Sequence, residues 1–174
     1  MMGVATAFGQ VAPSTRGGDA AVWIGGEFSS FDSDYDNSSR IVGPGVYGDL
    51  NLTHKLGIEG EARWMRWNAY GNQTQSDYLG GVRYRIWKIQ KLSLYAKFLV
   101  GGVWIRYPLG IGTGSYFAYA PGGIGEYRLT PRLSVRGESE YQLLPSAPGF
   151  PGLPNNGLTP NGFSVGVSYR VLGH

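Results

Sequence analysis

Asn161-Gly-Phe-Ser-Val-Gly-Val-Ser-Tyr-Arg-Val171 is the stretch that decides the fold. Phe163, Val165, Val167, Tyr169 and Val171 share one face, and Ser164, Gly166, Ser168 and Arg170 share the other. A strict period of two is a β-strand with one apolar and one polar side. The stretch lies almost at the C-terminus, with no later strand to pair with. An edge left open there would invite pairing with other chains, so the strand is expected to pair back with the first one and close a barrel.

Working back along the chain, seven more segments alternate in the same way. Residues 20–31 set Ala21, Trp23, Gly25, Glu27 and Ser29 against Val22, Ile24, Gly26 and Phe28. Residues 41–53 set Tyr47, Asp49 and Asn51 against Val46, Leu50 and Leu52. A third segment carries Glu59, Glu61, Arg63 and Met65 against Ile58, Gly60, Ala62 and Trp64. The fourth, 78–87, has Arg83 and Arg85 against Val82, Tyr84 and Ile86; the fifth, 92–107, has Ser93, Tyr95 and Lys97 against Leu94, Ala96 and Phe98. Glu126 and Arg128 lie on the polar side of 116–129, and Ser134, Arg136, Glu138 and Glu140 on that of 133–144. Polar or Pro/Gly-rich loops at 32–40, 68–77, 108–115 and 145–160 alternate with short turns at 53–56, 88–91 and 129–132. Long and short connections at opposite ends mark an up-and-down barrel. An internal echo supports this: Thr53-His-Lys-Leu-Gly-Ile-Glu-Gly-Glu-Ala-Arg-Trp64 aligns with Thr130-Pro-Arg-Leu-Ser-Val-Arg-Gly-Glu-Ser-Glu-Tyr141.

Charge decides which face looks outward. The polar face carries seven acids, Glu27, Asp49, Glu59, Glu61, Glu126, Glu138 and Glu140, and seven bases, Arg63, Arg83, Arg85, Lys97, Arg128, Arg136 and Arg170. An enclosed lumen demands such balance, because an unpaired buried charge costs several kcal/mol. These fourteen are the expected lumen ion-pair network, packed with Trp23, Tyr47, Trp67, Trp87 and Tyr95. The apolar face then meets lipid, with aromatic girdles of Phe28, Trp64, Trp104, Tyr119, Tyr141 and Phe163 at the loop end and Tyr84, Tyr127 and Tyr169 at the turn end. Phe163, Val165, Val167, Tyr169 and Val171 are the lipid face of the closing strand. The fold expected is all-β: a closed antiparallel up-and-down transmembrane barrel of eight strands. It occupies 19–174, after a lead-in at 1–18 that reads equally as a signal-peptide remnant or a frayed terminus.

Composition narrows the classes. Of 174 residues 29 are Gly and 12 are Tyr, and only 16% are charged. The absence of cysteine excludes disulfides and thiolate sites. No apolar run is long enough for a membrane-spanning helix. The formal charge of +3 is spread along the chain, which argues against nucleic acid.

Gly43-Pro-Gly-Val-Tyr-Gly-Asp-Leu-Asn-Leu52, Tyr119-Ala-Pro-Gly-Gly-Ile-Gly-Glu-Tyr-Arg-Leu-Thr-Pro-Arg132 and Phe163 to Val171 resemble the small eight-stranded outer-membrane barrels of Gram-negative bacteria, the OmpA transmembrane domain, OmpX and opacity-type family. The resemblance spans about residues 20–172 and implies location in the bacterial outer membrane. It also implies contact with outer-membrane lipid and lipopolysaccharide, and insertion by the barrel-assembly machinery through the last strand. Two departures stand out. Leu172-Gly173-His174 replaces the usual terminal aromatic, so the assembly signal would centre on Tyr169. The resemblance does not extend to a peptidoglycan-binding domain, so the tethering role of longer relatives is not expected.

Reactive chemistry is sparse. Asp32, Asp34 and Asp36 have the opening spacing of an EF-hand loop, but Asn37 and Gly43 stand where Gly and Glu are required. Gly110–Gly114 and Gly122–Gly125 lack the Lys-Ser/Thr and helix of a phosphate loop. His54 and His174 are too few for a triad or a zinc site. Glu138 and Glu140 sit among arginines and read as ion-pair filling, not acid–base catalysts. No enzyme activity, cofactor or metal site is expected. The function expected is a structural, surface-displaying barrel with a side-chain-filled lumen, whose loops carry any protein partner. The alternatives are a narrow passive pore and a soluble lipocalin-like barrel holding an apolar ligand.

Overall fold

The computed structural model describes residues 21–34, 40–148 and 157–173; the lead-in at 1–18 lies outside them. Eight strands follow in order: β1 (Ala21–Asp32), β2 (Arg40–Asn51), β3 (Leu56–Met65), β4 (Thr74–Ile89), β5 (Leu92–Arg106), β6 (Thr113–Arg128), β7 (Leu133–Tyr141) and β8 (Asn161–Leu172). Each pairs antiparallel with the next, and β8 returns to β1 through Ile24↔Tyr169, Gly26↔Val167 and Phe28↔Val165, closing the barrel. Helix is limited, among the described residues, to two single 3-10 turns, Tyr70–Asn72 and Pro108–Gly110. No helix among them is long and apolar enough to cross a membrane.

The two echoed turns share one hydrogen-bond pattern. Thr53 Oγ1 accepts from the amides of Lys55 and Leu56 at 3.2 and 2.9 Å, and Thr130 Oγ1 accepts from those of Arg132 and Leu133 at 3.2 and 3.0 Å. A threonine hydroxyl that satisfies the turn amides is why the two sequences match. The third turn is tighter: Ile89 pairs Leu92, and Gln90 takes a φ of 48°.

The apolar face points outward. Ile24, Val46, Ile58, Val82, Phe98, Val165 and Val167 are each roughly half exposed, while their neighbours Trp23, Tyr47, Glu59, Arg83 and Lys97 are buried in the lumen. That orientation excludes the lipocalin-like alternative, which needs its apolar face inside. Aromatics ring both ends of the outer wall. Phe28 stacks on Trp67 at 5.9 Å, and Tyr78 meets Trp104 edge-on at 5.3 Å. Trp64 is half-buried and donates from Nε1 to the Tyr78 hydroxyl at 2.9 Å.

Several boundaries differ from expectation. Residues 74–77 and 113–115 are strand and not loop, and β7 ends at Tyr141 with isolated bridges at Leu143 and Leu144 beyond it. Trp67 and Trp87 lie outside the barrel and not in the lumen, at 56% and 48% exposure. For Trp87 the cause is a bulge: the register shifts between Arg85 and Trp87, so Ile86 and Trp87 both face out. One inserted residue resets a period-two pattern.

The wall is uneven. β4, β5 and β6 run 16, 15 and 16 residues, whereas β3 and β7 run 10 and 9. Inside the tall side lies an apolar cluster of Leu79, Leu99, Val103, Ile105, Tyr107, Ala118 and Ala120, covered by Leu144, Ala147 and Leu158. The base of the 145–160 segment therefore folds into the barrel opening, where Leu144 bridges Leu158 and Pro160 is buried. Pro151 and Pro154, in the middle of that segment, lie outside the described residues.

Candidate functional site

The lumen is built from inward positions of all eight strands, and long side chains cross it where glycines leave room. A Cβ on Gly25 would lie 2.3 Å from the Tyr47 ring, and one on Gly45 would lie 2.8 Å from Arg63 Cγ. A larger residue at either position would displace Tyr47 or Arg63 from the filled centre.

Four buried cations organise the interior. Lys97 Nζ lies 2.5 Å from Glu138, 2.6 Å from Glu140, 3.0 Å from Glu61 and 3.8 Å from Glu59. Arg136 contacts Glu138 and lies 3.0 Å from Glu59 and 3.4 Å from Glu27. Arg63 contacts Glu61 and Glu140, with Asp77 at 3.6 Å. Nearer the turn end, Arg83 reaches Asp49 at 2.8 Å and Glu126 at 3.5 Å. The three arginines also lie over rings: Arg63 over Phe31, Arg83 over Tyr95 and Arg136 over Tyr47, at 4.6, 4.6 and 3.6 Å. A guanidinium used this way gives its face to an aromatic and its N–H edge to carboxylates.

The one-to-one balance expected from the sequence is not what the barrel encloses. Eight acids are buried, Glu27, Asp49, Glu59, Glu61, Asp77, Glu126, Glu138 and Glu140, against Arg63, Arg83, Lys97 and Arg136. Neutral donors supply part of the difference. Gln75 donates to Asp77 at 2.9 Å, Gln142 donates to Asp77 at 2.9 Å and Glu140 at 3.0 Å, and Ser134 donates to Glu126 at 3.2 Å. Gln75 and Asp77 escaped the sequence reading because they close a polar run that looks like loop, and Gln142, which continues the inward parity of Glu138 and Glu140, because it carries no charge. The inward alternation continuing from Gly81 through Leu79 was the available signal.

Arg85, Arg128 and Arg170 stand apart from the network. They line a cavity at the turn end together with Lys55, Lys88 and His54. Arg128 and Arg170 lie 5.6 and 5.8 Å from the Trp23 ring, and none of the three arginines joins an ion pair among the described residues. Their strand parity is inward, but they sit at strand ends, beyond the reach of the acids.

Carboxylate oxygens of Glu59, Glu61 and Glu138 approach within 4.8 Å of one another, a spacing that suits a cation, and the cation among them is the Lys97 ammonium. At the loop end Asp34 Oδ2 accepts from the Thr159 amide and hydroxyl at 2.8 and 2.6 Å, tying the first loop to the last. Asp36 and His174 lie outside the described residues.

An antiparallel eight-stranded barrel with an apolar outer wall, two aromatic girdles and a packed ionic interior defines a transmembrane barrel protein. The family comparison makes that class specific. Residues 2–170 match the outer membrane protein beta-barrel domain, and the chain belongs to that family of bacterial outer-membrane proteins. No curated protein matches the sequence. Among solved structures, Neisserial surface protein A is similar at 12% identity and a TM-score of 0.62, over 86% of this chain and 96% of that one. OprG of Pseudomonas aeruginosa is similar at 13% identity and a TM-score of 0.60, over 88% and 97%. Ail, the attachment invasion locus protein of Yersinia pestis, is similar at 17% identity and a TM-score of 0.56, over 88% and 99%. At these identities the likeness is one of fold.

Proposed function

We propose that the barrel is a structural, non-enzymatic outer-membrane protein that displays its long loops at the cell surface and carries no solute. The observation that supports this most is the lumen, where Arg63, Lys97 and Arg136 with their carboxylates fill the cross-section at 0%, 4% and 4% exposure. An interior of eight strands is narrow enough for side chains to fill. The apolar cluster under Leu144 and Leu158 fills the loop end, which also argues against the passive pore. Loops on such a scaffold vary without disturbing it, so specificity for a protein partner resides there. Ail, a fold neighbour named as an attachment invasion locus protein, has been crystallised with the heparin analogue sucrose octasulfate, which shows that a barrel of this fold can take a ligand.

Lipopolysaccharide is the lipid partner of the outer wall. Arg66 and Arg106 flank Thr74, Ser76, Thr113 and Ser115 just above Trp104, forming a groove at the loop-end interface. Two arginines and four hydroxyls at that height suit the phosphates of an anionic glycolipid. β8, with Tyr169 on its lipid face, is the strand offered to the assembly machinery. Surface display is tested by inserting an epitope between Gly152 and Leu153 and labelling intact cells with antibody. Labelling of intact cells, with the barrel still folded, is expected; labelling only after the cells are broken open would refute the reading.

A further inference from the structure

We propose that the turn-end mouth of the lumen binds a phosphate-class oxyanion. Lys55, Arg85, Lys88, Arg128 and Arg170 converge on a cavity of about 90 Å³ with Trp23 and Tyr95 in its lining. They come from distant parts of the sequence: the β2–β3 turn, the end of β4 and the last residues of β6 and β8. Among the described residues no carboxylate pairs with any of the five. The nearest lumen acids, Asp49 and Glu126, are taken by Arg83.

The arginines make the argument specific. Arg63, Arg83 and Arg136 each combine an aromatic ring beneath the guanidinium with carboxylates at its edge. Arg128 and Arg170 share a ring, Trp23, which is 2% exposed and lies 5.6 and 5.8 Å from them, but have no acidic partner among the described residues. Stacking uses the guanidinium face and leaves the N–H edge for an acceptor. Asn51, also in the lining, accepts from Arg83 Nη2 through Oδ1 at 2.9 Å, which leaves its amide nitrogen as a neutral donor. Five like charges around one small space repel one another, and an entering anion relieves that repulsion. A tetrahedral oxyanion offers several acceptor oxygens to bidentate arginines, and the cavity has room for such a group.

Short barrel turns face the periplasm, so the same chemistry has two sources: free inorganic phosphate and the headgroup of an anionic inner-leaflet phospholipid. The site does not depend on surface display, and its test is separate. The folded protein in zwitterionic-detergent micelles is titrated calorimetrically with inorganic phosphate at constant ionic strength, with chloride as the reference anion. Saturable binding at the turn-end mouth is expected, weakened at least tenfold in Arg128→Gln and in Arg170→Gln and unchanged in Arg40→Gln, whose guanidinium is engaged by Ser30 at the opposite end. Heat-shifted gel migration confirms that each variant is folded. A second arm repeats the titration in nanodiscs of phosphatidylcholine with and without phosphatidylglycerol. Phosphate affinity that falls in the anionic discs identifies the headgroup as occupant; equal affinity in both identifies the free anion. Phosphate binding no tighter than chloride, or equal in wild type and both mouth variants, would overturn the proposal.

Discussion

The lumen holds two interiors that are stabilised in opposite ways. In the middle, Lys97 and three arginines are surrounded by carboxylates and lie against aromatic rings. On the tall side toward the loops, Leu79, Leu99, Val103 and Ile105 meet Leu144 and Leu158 without a charge among them. The apolar cluster is non-directional and tolerates trimming in proportion to the volume removed. The ionic centre is more exacting, because each cation serves several acids and removing one leaves a buried excess of negative charge on the cations that remain. The difference teaches why the barrel is closed: one region seals by packing and the other by mutual charge satisfaction.

Lys97→Ala is the strongest way to break the comparison. It leaves Glu59, Glu61, Glu138 and Glu140 without their shared ammonium. A loss of about 3–5 kcal/mol is expected. Urea titration of the folded protein in micelles, read by heat-shifted gel migration, measures it. Leu99→Ala, fully buried in the other interior, should cost about 2–4 kcal/mol by the same assay, the loss following the cavity it opens. A smaller loss for Lys97→Ala than for Leu99→Ala would reverse the comparison. The finest test lies outside both interiors. Thr53→Ala and Thr130→Ala each remove a hydroxyl that accepts two turn amides, and each should cost about 1 kcal/mol. Costs that differ by more than about 1 kcal/mol would show that the two matching turns are not equivalent.

Much of the fold is legible because period-two patterning is insensitive to long-range detail. Val165, Val167 and Tyr169 face lipid wherever β8 finds its neighbours, and a closing strand has only β1 left to pair with. Parity fails where the backbone inserts a residue, as at Arg85/Trp87, or where a strand is apolar on both faces. Leu99, Val103 and Ile105 belong to such a strand, so the plug they build with Leu144 and Leu158 was not visible. The ionic interior is legible as composition and not as arrangement. Parity places Arg128 and Arg170 on the inner face, but depth along the barrel separates them from the acids, and depth depends on stagger between strands. Asp77 shows the reverse error: a polar run reads as loop although its last residues are the inward start of β4.

Conductance tests the closed ionic lumen most directly. In planar bilayers and liposomes the wild-type barrel should pass no disaccharide and show no stable conductance step. Arg136→Ala, which unties Glu27, Glu59 and Glu138 at once, should raise ion leak while the barrel remains folded. Free passage of a disaccharide through the wild type would contradict the account and make the protein a pore.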